Sequence, residues 1–102
     1  MKIEDIQVGG LYNIPHYVTP LYNLKDPASR SESLSNTILP GDTPFVPLEV
    51  HQVVLNSHFF PYKENVWHRI RILTSEGIIG WLSLREDELD YIVPVTSCDN
   101  KV

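Results

Sequence analysis

The sequence holds a single cysteine, Cys98, which excludes a disulfide within the chain. No window approaches the roughly 18 apolar residues that a membrane-spanning helix needs, and the N-terminal MKIEDIQVGG lacks the apolar stretch of a signal peptide. Lysine and arginine number 8 against 13 aspartates and glutamates, giving a net charge of −5. This charge disfavours nucleic acid and anionic membranes as partners, because both attract a positive surface. Together these absences predict a soluble, cytoplasmic protein.

Signatures of enzymes and metal sites are also missing. A zinc site needs closely spaced ligand pairs, whereas the histidines are scattered and no cysteine cluster accompanies them. Gly9-Gly10 lacks the spacing and the lysine of a phosphate-binding loop. The acidic run at 86–90 is typical of a solvated turn. The sequence therefore predicts a protein that is not an enzyme and has no metal and no cofactor. The four histidines are His16, His51, His58 and His68.

What the sequence does contain is period-two alternation around a glycine turn. The segment WHRIRILTSEGIIGWL has two apolar runs on either side of Thr74–Gly77, which predicts a β-hairpin over 66–83. On its first strand, Trp67, Arg69 and Arg71 fall on one face, and His68, Ile70 and Ile72 fall on the other.

Short extended segments separated by turn signals fill most of the remaining chain. The polar stretches at 25–37 and 56–65 are predicted to be loops. A helical turn is predicted over 84–89 and a tail over 96–102. Five to six short strands at this spacing predict a small all-β barrel. The further strands are predicted at 11–14, 20–24, 43–55 and 90–95.

The order of these segments resembles the Src-homology-3-like (SH3-like) barrel over Pro20–Val95, with bacterial modules of this type as the nearest pattern. PLYNL at 20–24 is similar to the family's ALYDY motif, and the stretch at 25–37 lies where its long first hairpin loop lies. Trp67 lies at the position of the family's groove tryptophan. EGIIGWL at 76–82 resembles EGxxGYxP and the bacterial GxxGWV, and LREDELDYI at 84–92 fits the helical turn and last strand.

The resemblance implies an SH3-like barrel of five to six strands with a short helical turn before the last strand. The chain length predicts one domain, over 1–95, of which 1–19 is an N-terminal extension outside the resemblance. Leu24 replaces the second aromatic of the ALYDY motif, and Ser83 replaces the proline after the glycine–aromatic pair. Free-standing barrels of this kind occur in bacteria and phages.

Ten aromatic residues in this short chain favour a binding surface as the function. Tyr12, Phe45 and Trp81 are predicted to be buried. Surface aromatics with an arginine as helper indicate a protein- or peptide-binding adaptor, inhibitor or complex subunit. The predicted binding residues are Tyr22, Phe59, Phe60, Tyr62, Trp67, Arg69 and Trp81.

Other functions stay open at this stage. Arg69 and Arg71 on one strand face suggest a nucleic-acid-associated barrel as the main alternative. His51 with the acidic cluster at 86–90 suggests a small enzyme or ligand-binding barrel. Loop aromatics meeting across a two-fold axis would instead give a homodimer.

Overall fold

The computed structural model describes residues 2–28, 33–56 and 64–95, and strands account for most of the regular structure there. The all-β prediction is confirmed, but seven strands are present where five to six were predicted. No helix within the described ranges is long and apolar enough to cross a membrane. The strands are β1 (Tyr12–Asn13), β2 (Thr19–Asn23), β3 (Ser33–Leu39), β4 (Phe45–Asn56), β5 (Glu64–Thr74), β6 (Ile79–Leu84) and β7 (Val93–Pro94), and two 3₁₀ turns are η1 (Ile3–Asp5) and η2 (Glu86–Tyr91).

All seven strands belong to one sheet in the order β3-β2-β6-β5-β4-β1-β7, and every neighbouring pair is antiparallel. Tyr12 of β1, Leu39 of β3 and Leu89 of η2 all enter a single core cluster. Because β1 and β3 lie near opposite ends of the strand order, the sheet must curl to bring them together. The result is a half-barrel with β3 and β7 at its ends.

The predicted hairpin over 66–83 is confirmed as β5 and β6. Its turn is held by Thr74, whose backbone N–H donates to the Ile78 carbonyl at 2.8 Å and whose hydroxyl accepts from the Ile78 N–H at 3.1 Å. Gly77 has a φ of 83°, which only glycine adopts readily. The glycine turn therefore sets the register of the pair, from Leu73↔Ile79 to His68↔Leu84.

Two predicted loops are shorter than expected. Residues 33–37 were predicted as loop but form most of β3, which pairs with β2 from Asn23↔Ser33 to Thr19↔Leu39. Their polar composition gave no strand signal, because pairing with β2 determines this strand. Likewise Asn56 and Glu64 belong to β4 and β5 rather than to a loop, and they pair with each other. Residues 57–63 lie outside the described part of the chain.

The core lies on one face of the half-barrel. Leu21, Ile70, Leu82 and Leu89 have no exposed surface, and each such side chain contributes roughly 1.5–3 kcal/mol of hydrophobic free energy. The predicted burial of Tyr12, Phe45 and Trp81 is confirmed. The N-terminal extension takes part in this core through Ile6, Tyr12 and Ile14.

Candidate binding site

The two faces of β5 differ in chemistry, as the alternation predicted. Residues that lie directly opposite on neighbouring strands project from the same face of a sheet. The register pairs Glu49 with Arg71, Arg71 with Trp81, and Trp81 with Tyr22. These four side chains therefore form one row across β4, β5, β6 and β2, on the face away from Ile70 and Ile72. We call this the polar face.

A groove opens beside this row, between β2 and β6. The two strands pair only at Tyr22 and Trp81. Beyond that pair, residues 23–25 and 79–80 border an open cavity of about 410 Å³. We call it the β2–β6 groove. Its lining residues are Tyr22, Asn23, Leu24, Lys25, Arg71, Ile79, Gly80 and Trp81.

Arg71 is fixed at the groove by an ion-pair network on the polar face. Its Nη1 donates to Glu49 Oε2 at 3.1 Å, and His51 Nε2 lies 3.1 Å from Glu49 Oε1. The hydrogen bond from His51 and then that from Arg71 hold the pKa of Glu49 below its ordinary value. All three side chains are part-exposed, so water screens the network and its contribution to stability is small.

Arg69 has a different role from its neighbour two residues away. Its side chain is 0% exposed. Nε donates to Ser83 Oγ at 3.1 Å, and Nη1 donates to the Pro27 carbonyl at 3.1 Å. A buried guanidinium is costly without such partners. Arg69 therefore ties the segment after β2 onto the polar face, and Arg71 is the more accessible cation of the two.

The structure brings together only part of the predicted binding set. Tyr22 and Trp81 share the groove wall, although Trp81 is only 8% exposed. Trp67 lies on the same face opposite Val53, near the end of the β4–β5 pair, and does not line the groove. Phe59, Phe60 and Tyr62 lie outside the described residues.

Sequence reasoning missed five groove residues, which are Asn23, Leu24, Lys25, Ile79 and Gly80, and it named Arg71 only for the nucleic-acid alternative. The signal that would have found them is the contact between β2 and β6, which joins segments about sixty residues apart in the chain. A local pattern does not contain that contact. Lys25 also belongs to the polar stretch that was predicted as one loop over 25–37, and its polar composition does not distinguish Lys25 from its neighbours.

A second aromatic surface was missed as well. Tyr17 stacks on Tyr91 with ring centroids 4.5 Å apart. The pair borders a hollow of about 150 Å³ that Pro20 and Leu84 also line. Electrostatic interaction with Tyr17, followed by desolvation, raises the pKa of Tyr91. This tyrosine hollow involves η2 and the segment after β1, and it shares no lining residue with the β2–β6 groove.

Among the described residues, the histidines and acids do not converge on one centre. His51 bonds Glu49, whereas the acidic run of η2 is engaged elsewhere: Glu86 Oε2 lies 2.6 Å from Nε2 of the buried His68. Within residues 2–28, 33–56 and 64–95, no three His, Cys, Asp or Glu side chains are grouped to hold a metal ion.

Comparison with protein-family models, curated proteins and solved structures found no match to this chain. The candidate function therefore depends on the geometry of the groove and the polar face.

Proposed function

We propose that this chain is a non-enzymatic module that binds a protein or peptide, and that it serves as a small adaptor, inhibitor or complex subunit. The ligand lies in the β2–β6 groove. The observation that carries the proposal is the groove beside the Tyr22–Trp81 pair, in which these aromatic side chains lie next to the cation of Arg71. Tyrosine, tryptophan and arginine are the residues most enriched in binding hot spots.

The scaffold we propose is an SH3-like half-barrel. The order of elements supports this assignment: a β2–β3 hairpin, the β4–β5–β6 meander, the 3₁₀ turn η2 and the short β7. The ligand surface is shifted from the one implied by the resemblance, because Trp67 lies outside the groove. Tyr22 and Trp81 take the main aromatic role.

A nucleic-acid partner is the weaker candidate on this geometry. It relies on Arg69 and Arg71 as phosphate contacts. Arg69 is buried and donates to Ser83 and Pro27, so only one of these two arginines is accessible, on a chain whose net charge is −5. The proposed module therefore recognises a polypeptide.

Site-specific photo-crosslinking tests the proposal. A benzophenone amino acid is placed at Ile79, a groove residue that is 52% exposed, and at Val8, a matched apolar residue that is 62% exposed and lies outside the groove. Each variant is irradiated in lysate of the cells that make the protein, with and without nuclease.

The proposal predicts a discrete protein adduct from Ile79 that is weak or missing from Val8. The adduct should survive nuclease and disappear when Tyr22→Ala is added to the Ile79 variant, provided that this variant keeps the wild-type circular dichroism spectrum. Equal adducts from both sites, or loss on nuclease treatment, would contradict it. An adduct of two copies of this chain would identify a homodimer.

A further inference from the structure

We infer that the β2–β6 groove binds an acidic peptide segment in extended conformation, an inference that rests on the proposed function. Lys25 and Arg71 both line the groove, and no acidic residue among the described ones does. The chain as a whole has a net charge of −5. The groove is thus a locally basic site on an acidic protein, and complementary charge favours a ligand that carries carboxylates.

Glu49 offsets part of this local charge, but it does not line the groove. In the row across the polar face, Glu49 lies on the β4 side of Arg71, while the groove lies on the β6 side. Glu49 engages Nη1 of Arg71, and no other residue in the described ranges accepts a hydrogen bond from that guanidinium. Because the guanidinium has five N–H donors, donors remain for a carboxylate on the groove side.

Lys25 supplies the second positive charge, and it is more accessible. It follows β2 in an exposed position. Within residues 2–28, 33–56 and 64–95, no acid forms an ion pair with its ammonium group. A lysine at a groove rim that has no internal partner keeps its full attraction for an approaching anion.

The shape of the groove indicates an extended ligand. Beyond the Tyr22–Trp81 pair, the facing segments 23–25 and 79–80 make no ladder with each other. An extended peptide can hydrogen-bond to such an unpaired strand edge, and its alternate side chains then point into the groove. Ile79 and the two aromatic rings offer apolar contact between the carboxylates. An acidic peptide with alternating apolar residues therefore matches both the charge and the shape.

The test compares three dye-labelled octapeptides that alternate valine with glutamate, glutamine or lysine, together with an oligothymidine of equal length. Binding is measured by fluorescence anisotropy from about 50 mM to about 300 mM salt. Two charge reversals are matched: Lys25→Glu in the groove, and Lys2→Glu on an exposed lysine outside it. Amide NMR shifts show where each probe binds.

We expect the glutamate peptide to bind tightest and to shift the amide NMR signals of Asn23, Lys25 and Gly80. Its affinity should fall as the salt concentration rises. Lys25→Glu should weaken the affinity for the glutamate peptide about three- to tenfold. Lys2→Glu should weaken this affinity less than about twofold. Tighter binding of the glutamine or lysine peptide at the same amides would overturn the inference that the ligand is acidic. The groove would then remain a polypeptide-binding site. Tighter binding of the oligothymidine there would overturn both proposals. Shifts confined to other surfaces, or no binding by any peptide, would overturn the inference, and the Ile79 adduct would then decide the proposed function separately.

Discussion

The two faces of β5 bury side chains by different means. On the core face, Ile70 is excluded from water by apolar neighbours from other strands. On the polar face, Arg69 is equally buried, and hydrogen bonds to Ser83 and Pro27 satisfy part of its donor set. Arg71, two residues along, remains about 43% exposed. The same alternation thus yields a core on one side, and on the other side one structural arginine beside one that is accessible to a ligand.

The difference lies in what covers each residue. Pro27, which accepts from Arg69, is 42 residues away in the chain. The segment after β2 therefore covers the part of the polar face at Arg69, and the groove lies at another part of that face, beside the Tyr22–Trp81 pair. The position of a residue on its strand determines the face of the sheet from which its side chain projects. Segments that are distant in the chain determine which side chains on that face a ligand can reach.

The largest expected effect is on the core face. Ile70→Ala should lower the free energy of unfolding by about 3 kcal/mol, because it removes buried methyl groups and leaves a cavity. Urea denaturation measures this loss of stability. Ile79 is exposed, so Ile79→Ala is the matched control and should lower the free energy of unfolding by less than about 1 kcal/mol. Equal losses at the two positions would break the distinction between the faces.

Arg69→Ala should cost about 2 kcal/mol, because the Ser83 hydroxyl and the Pro27 carbonyl lose their donors. It should also release the segment after β2, so that the Ala28 amide, which donates to Asp26 Oδ1 at 2.9 Å, exchanges its hydrogen faster. Arg71→Ala is the control and should leave that exchange unchanged. If Arg71→Ala destabilised the protein as much as Arg69→Ala, the two arginines would not have the separate roles assigned to them.

Gly80→Ala tests how closely the groove floor lies against the core. A Cβ at position 80 would lie 3.0 Å from Leu21 Cβ, so β2 or Leu21 must shift by a few tenths of an ångström. We expect a loss of about 1 kcal/mol and a change in the Tyr22 and Trp81 amide shifts. Leu21→Ala in the same chain removes the Cγ and Cδ1 atoms that would lie 3.4 and 3.2 Å from the new Cβ, so the double variant should lose less stability than the sum of the single variants. Strict additivity would show that the contact is not the cause.

The smallest expected effect concerns pH. The folded-state pKa of Glu49 is lowered from its ordinary value of 4.5, chiefly by His51 and then by Arg71. Its stabilising contribution is therefore present above the unfolded pKa and is lost as pH falls through the folded pKa. NMR titration should place the Glu49 midpoint below 4.5, and His51→Ala should raise it. In urea unfolding, the wild type should have a larger free energy of unfolding than Glu49→Gln at neutral pH. This difference in stability should become smaller in acid. A midpoint that His51→Ala leaves unchanged would contradict the network.

Local patterns predicted the parts of this fold that depend on neighbouring residues. The alternation from Trp67 to Ser83 and the turn at Gly77 predicted the β5–β6 hairpin and its two faces correctly. They did not predict β3, because the polar residues after position 32 become a strand only by pairing with β2. They did not predict the groove either, because it exists only where β2 meets β6. Tyr22 and Trp81 were predicted as binding residues from their aromatic type and from the SH3-like resemblance, neither of which indicates that Lys25 lies beside them.

The most direct test of the central claim is hydrogen exchange of this protein with and without the partner captured at Ile79. If the groove is the binding surface, amide exchange should slow at 23–25 and 79–81 and stay unchanged around the tyrosine hollow of Tyr17 and Tyr91. Slowed exchange at the tyrosine hollow, with the groove amides unchanged, would contradict the claim and move the binding surface to the other aromatic pair.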